Sequence, residues 1–209
     1  MNVNLYNNYI YTRKLNLDVK EQKDTSYKMY DYINDNFTSD EFDYSDTSTL
    51  TTKLYSQYNY LLYPYPGIGK LYNGIRETFY SCYHHMYGEP VKEEYHMQCW
   101  LNFYKTGDFI DWHQHWDKEY DSWHGFYCVD VEPNSETIYH FHDGSHPNVH
   151  IKSENDLLVI GLSGRDSHRS SEWNESYPRI TIAFDIIPTR TLNVVDSTTR
   201  HIKNHWVPL

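Results

Sequence analysis

Apolar residues recur at three- and four-residue steps through GKLYNGIRETFYSCYHHMYGEP (69–90). Leu71, Ile75, Phe79, Cys82, Tyr83 and Met86 make one stripe, and Gly88 and Pro90 end it. The spacing predicts a helix, and a stripe of this kind is a packing face rather than a site. Residues 18–36 read as a polar helix with a thin apolar face of Tyr27, Tyr30 and Ile33, and residues 3–12 (VNLYNNYIYT) as a strand. The Ser/Thr/Asp-rich stretch 38–52 reads as a surface loop. After Pro90 the period changes to short runs of β-branched and aromatic residues between turns: EYHMQCWLNFY, DFIDWHQHW, SWHGFYCVDV, ETIYHFH, NVHIK, DLLVIGL and RITIAFDII. Strands at this spacing predict a sandwich or barrel. The expected fold class is α+β, mainly β. Residues 1–90 are expected to form an N-terminal strand and helical layer, 91–190 a β core on which it packs, and 191–209 a C-terminal extension, all in one structural domain.

Composition narrows the function. With 39% hydrophobic and 22% charged residues the chain is globular. A formal net charge of −11 disfavours nucleic acid as a partner, since phosphate binding needs a basic surface. Cys82, Cys99 and Cys128 are odd in number and lack metal-type spacing, which points to a reducing, cytoplasmic setting. No apolar run reaches membrane-spanning length, so a soluble protein is expected.

The candidate chemistry lies in histidines. Eight of the thirteen fall between His113 and His168. In DWHQHWD (111–117), a strand would put His113 and His115 on one face, with Cβ atoms roughly 6–7 Å apart, close enough to reach one metal ion. His168 follows the buried-looking run DLLVIGL and could supply a third ligand from another strand. Two ligands from one strand and a distant histidine describe the facial triad of non-haem iron enzymes. In RITIAFDII, Arg179, Thr181, Ala183 and Asp185 alternate with Ile180, Ile182, Phe184 and Ile186. The polar face therefore offers a guanidinium and a hydroxyl suited to fixing a carboxylate, such as the far end of an anionic co-substrate that chelates the metal.

The blocks WLNFYKTGDFIDWHQH (100–115), HGFYCVDVEP (124–133), DLLVIGL (156–162) and His168 followed by RITIAF (179–184) resemble the 2-oxoglutarate/Fe(II)-dependent oxygenases. The similarity is to the prolyl-hydroxylase-like group of bacteria and phages, and it spans about residues 97–187. It implies a double-stranded β-helix (jelly-roll, cupin-like) core with the N-terminal helices packed on one sheet. It also implies Fe(II) and 2-oxoglutarate as cofactors, and O₂-driven hydroxylation of a C–H bond with release of succinate and CO₂. By resemblance His113 is the first iron ligand and His168 the distal one. Arg179 and Thr181 bind the far carboxylate of 2-oxoglutarate, and Asn102, Tyr104 and Tyr127 line its pocket.

The family motif is His-x-Asp/Glu, whereas His115 stands two places after His113. Three readings stay open: His115 is the second ligand; the pair is His115 and Asp117, another strand-spaced match; or the position is degenerate and iron binding weak. Trp112, Trp116 and Trp123 are expected as lid or substrate contacts, or as packing residues if there is no site. His140 and His142 are expected at the pocket rim, with a second metal the lesser alternative. The substrate is a small molecule or a peptide, and a homodimer is left open. The rival functions are a non-catalytic β-sandwich binding module that kept the fold, and a histidine-ligated zinc hydrolase.

Overall fold

The computed structural model describes residues 4–6, 10–38, 47–131, 135–144, 147–194 and 205–209. In chain order the elements are β1 (Asn4–Tyr6), β2 (Ile10–Lys14), α1 (Val19–Asn36), α2 (Leu50–Lys53), α3 (Ile68–Tyr87), β3 (Tyr95–Tyr104), β4 (Ile110–His113) and β5 (Trp123–Asp130). Then follow β6 (Glu136–Phe141), β7 (Val149–Lys152), β8 (Leu157–Leu162), β9 (Asp166–Ser170), β10 (Arg179–Pro188), α4 (Thr189–Val194) and β11 (Val207–Pro208). All pairings are antiparallel. A large sheet runs β1-β2-β8-β5-β10-β3-β11, and a small one β4-β9-β6-β7. Mainly β, in two sheets with helices against the larger, this is the jelly-roll arrangement expected from the sequence.

The two faces of the large sheet differ because side chains alternate along each strand. On β10, Ile180, Ile182, Phe184 and Ile186 are fully buried on the helix side. There they join Met29 and Ile33 of α1 and Leu71, Ile75 and Phe79 of α3 in one core. Phe79 meets the Trp123 ring edge-on at 5.6 Å, and Tyr30 stacks on Phe103 at 4.0 Å. The predicted stripe on α3 is thus the packing face, and Gly88 caps the helix in the left-handed region at φ 70°.

Several expectations need correction. The buried face of α1 is Gln22, Thr25, Ser26, Met29 and Ile33, while Tyr27 is exposed. Polar residues can lie on that face because the chain before α3 satisfies them: Thr25 Oγ1 donates to Pro66 O at 2.7 Å and Gln22 Nε2 to Gly67 O at 3.1 Å. The single strand read over 3–12 is two, β1 and β2, joined through residues outside those described. Of the loop read over 38–52, residues 39–46 also lie outside, and Leu50 begins α2. The run DFIDWHQHW is not one strand. β4 stops at His113, after an irregularity between Ile110 and His113, so His115 sits beyond its end.

Candidate active site

Between the sheets lies a cavity of about 350 Å³, lined from both. That is the size of a small-molecule site. The small sheet places His113 directly opposite His168 across the β4–β9 pair. The turn after β4 folds His115 back toward both. Ring centroids are 4.3 Å apart for His113 and His168, 5.3 Å for His113 and His115, and 5.2 Å for His115 and His168. Candidate ligand atoms of the three lie within 4.8 Å of one another.

Each ring is anchored through Nδ1. His113 Nδ1 lies 2.8 Å from Asp111 O, His115 Nδ1 2.6 Å from Asp185 Oδ1, and His168 Nδ1 2.9 Å from Asp166 Oδ1. Anchoring of this kind fixes tautomer and ring orientation and raises basicity at the other nitrogen. Asp185 Oδ2 also accepts from Trp116 Nε1 at 2.9 Å, and Asp166 Oδ2 lies 3.3 Å from His124 Nε2. Two carboxylates therefore stand one bond behind the imidazoles.

Burial, helped by the charge of nearby His113, pushes the His168 pKa well below the usual histidine value, against the pull of Asp166. Its ring is neutral at pH 7, as a metal ligand must be. Burial also opposes a proton on His115, but the charge of Asp185 and its hydrogen bond together outweigh that and raise the pKa. For Asp166, burial favours the neutral acid, yet the charges and hydrogen bonds of His124 and His168 hold the carboxyl well below its ordinary range.

At one end of the cavity Arg179 is 1% exposed, and its Nε and Nη1 have no hydrogen-bond partner among the described residues. It lies over the Tyr104 ring, 4.9 Å from the centroid. Thr181 and Asn102 stand beside it, with Asn102 Nδ2 3.3 Å from Thr181 Oγ1 and Asn102 Oδ1 accepting from Thr52 at 2.6 Å. A buried cation with unmet donors is costly unless an anion completes it.

The structure separates the residues singled out from the sequence. His113, His115, His168, Arg179, Thr181, Tyr104, Asn102 and Trp116 all line this cavity. Asp117 does not: it is an exposed residue before a 3-10 turn and faces another concavity, with Lys118 and His142. Among the described residues it is in neither of the two groups able to hold a metal. Tyr127 points to the helix side, where its hydroxyl donates to Asp156 Oδ1 at 3.0 Å, and Phe126 takes the cavity side. Trp123 is fully buried in the core.

Trp112 is 39% exposed on the outer face of the small sheet, under Arg169 and near His140. His140 is exposed and paired with Asn148, and His142 with Ser167. No second histidine metal site forms there among the described residues. Sequence reasoning missed His124, Asp166 and Asp185 as supports and Trp100, Tyr55 and Trp206 as walls. Strand alternation places Asp185 on the Arg179 face, but its contact with His115 depends on the turn after β4, which alternation does not show.

Two antiparallel sheets around a histidine-lined cavity, with helices behind the larger one, define the double-stranded β-helix fold of the 2-oxoglutarate/Fe(II) oxygenases. Solved structures with this fold include a Pseudomonas putida prolyl-4-hydroxylase, at TM-score 0.56 and 10% identity, covering 86% of this chain and 92% of that one. A Trichoplax adhaerens prolyl hydroxylase, in complex with a hypoxia inducible factor oxygen degradation domain peptide fragment, aligns at 0.58 and 10%, covering 91% and 89%. AviO1 from Streptomyces viridochromogenes Tue57 aligns at 0.58 and 13%, covering 87% and 90%. No family model and no curated protein matches the chain.

Proposed function

We propose that this chain is an Fe(II)- and 2-oxoglutarate-dependent oxygenase that hydroxylates a C–H bond of a small-molecule or peptide substrate. The observation that carries the reading is the buried, incompletely bonded Arg179 in the same cavity as His113, His115 and His168. Three imidazoles alone would suit zinc as well as iron. A hydrolytic zinc site does not by itself call for a buried guanidinium, and a module without a ligand gives no reason to bury it.

The residues fit both cofactors. His113, His115 and His168 would hold the metal through Nε2, since the Nδ1 of each is committed to an acceptor. Arg179 and Thr181 would take the far carboxylate of 2-oxoglutarate, with Tyr104 and Asn102 fixing their positions. The negative charge that a His-x-Asp motif would bring to the metal is supplied from Asp185 and Asp166 behind it. When bound, Fe(II) and 2-oxoglutarate supply the oxidising chemistry: O₂ and 2-oxoglutarate become succinate and CO₂ as C–H becomes C–OH. The chain orients these partners and keeps water from them.

The test is anaerobic titration of Fe(II) and 2-oxoglutarate into metal-free protein, following the visible metal-to-ligand charge-transfer band. The band should form in the wild type and disappear in His168→Ala. In Arg179→Ala it should need about 100-fold more 2-oxoglutarate, since truncating one partner of a buried charge pair costs several kcal/mol. A folded wild type that gives no band would sink the proposal.

A further inference from the structure

Along the pocket face of β10 the charges are polarised. Of the Lys, Arg, Asp and Glu side chains among the described residues, only Arg179 and Asp185 line the cavity. They sit at its two ends, roughly 20 Å of strand apart. Around Asp185 the walls turn aromatic. Tyr55 and Trp100 meet at 5.4 Å and 50°, and Trp116 and Trp206 at 6.3 Å and 62°. Trp206 arrives from the C-terminal segment, where Val207 pairs with Met97 and Leu209 N donates to Tyr95 O at 2.9 Å. The indole N–H of Trp116 points at Asp185, which fixes that ring in place.

Tilted aromatic faces carry negative quadrupole and attract a cation. No Lys or Arg competes for them at this end, although one face of Trp100 is taken by the His115 ring stacked on it at 5.8 Å and 21°, and the net charge of −11 adds a field of the same sign. Asp185 is shared with His115 and Trp116, so the ring faces supply most of the attraction and the carboxylate sets its direction. An anionic substrate would find no counter-charge here, because Arg179 is at the far end. We infer that the Tyr55–Trp100–Trp116–Trp206 end of the cavity holds an alkylammonium group of the substrate. The inference rests on the oxygenase reading only in calling the held molecule a substrate; the binding site stands on its own geometry.

The probe is choline against its uncharged carbon isostere 3,3-dimethylbutan-1-ol. Both are titrated calorimetrically into the full-length, metal-free protein at matched ionic strength. Choline should bind about tenfold tighter or more, the scale of a desolvated cation–π contact. Trp206→Phe should keep choline affinity within about threefold, and Trp206→Ala should lose about tenfold with an unchanged melting temperature. Equal affinities for the two probes would overturn the inference, as would no choline binding, or choline binding indifferent to Trp206→Ala. A short lysine-containing peptide compared with free n-butylamine then shows whether the ammonium belongs to a polypeptide or a small molecule. Neither metal nor 2-oxoglutarate takes part, so a failed iron titration leaves this result standing, and the reverse holds too.

Discussion

Asp185 bonds His115 through one oxygen and Trp116 through the other while 8% exposed. Such acceptors behind a metal ligand are typically worth 10–100-fold in metal affinity. Asp185→Asn should therefore weaken Ni(II) binding by about that factor at high pH, measured by competition with a chelator. An unchanged affinity would remove Asp185 from the metal's support. The pH dependence has a definite sign. His115 must lose its proton to bind a metal, and Asp185 raises its pKa, so affinity climbs as pH rises through that raised value and falls below it. The asparagine variant should shift the climb to lower pH.

His113, His168 and Arg179, which all line the cavity, stand out in the sequence because charged or imidazole groups break an otherwise apolar alternation. It left His115 against Asp117 open because both lie at strand spacing. The turn after His113, which spacing does not encode, brings His115 into the cavity and leaves Asp117 exposed outside it.

At the scale of elements, the two faces of β10 were readable because one is wholly aliphatic and the other is not. β5 gave no such sign. Trp123, His124, Phe126, Tyr127 and Cys128 are all buried, so pattern alone accepts either parity and does not show that Tyr127 faces away from the cavity. The buried face of α1 departs from the apolar pattern for a related reason. Its buried Gln22 and Thr25 find partners in a segment distant in sequence.

Gly125 of β5 leaves no room for a side chain between its neighbours. A Cβ there would lie 2.1 Å from Val159 O and 2.5 Å from Phe184 Cζ. Gly125→Ala should cost about 3 kcal/mol, the upper range for overpacking, because one of the clashing atoms is backbone. Urea unfolding would check it, and a change under 1 kcal/mol on that scale would mean that the strands can part.

For the whole molecule, the helical layer and the cavity use opposite faces of one sheet, so they can be perturbed separately. Phe79 is fully buried against Trp123 and Tyr95. Phe79→Ala should destabilise by about 3–5 kcal/mol. If the native state still forms, its affinity for 2-oxoglutarate with metal should be unchanged, because the lost ring lies behind the sheet. Thermal melting and a 2-oxoglutarate titration of the same variant separate the two effects, and weaker binding in the folded variant would contradict this independence.

The pairing of His113 with His168 also bears on when the site assembles. β4 and β9 pair at Ile110–Ser170 and His113–His168 across an irregularity and are distant along the chain, so their contact closes a long loop and is of high contact order. His113 and His115 are local to each other, but a metal ion meets the third histidine, His168, only once the small sheet has closed. Loading with metal should then act on the exit from the native basin rather than on the entry to it. The unfolding limb of a chevron would slow while the folding limb stays where it was.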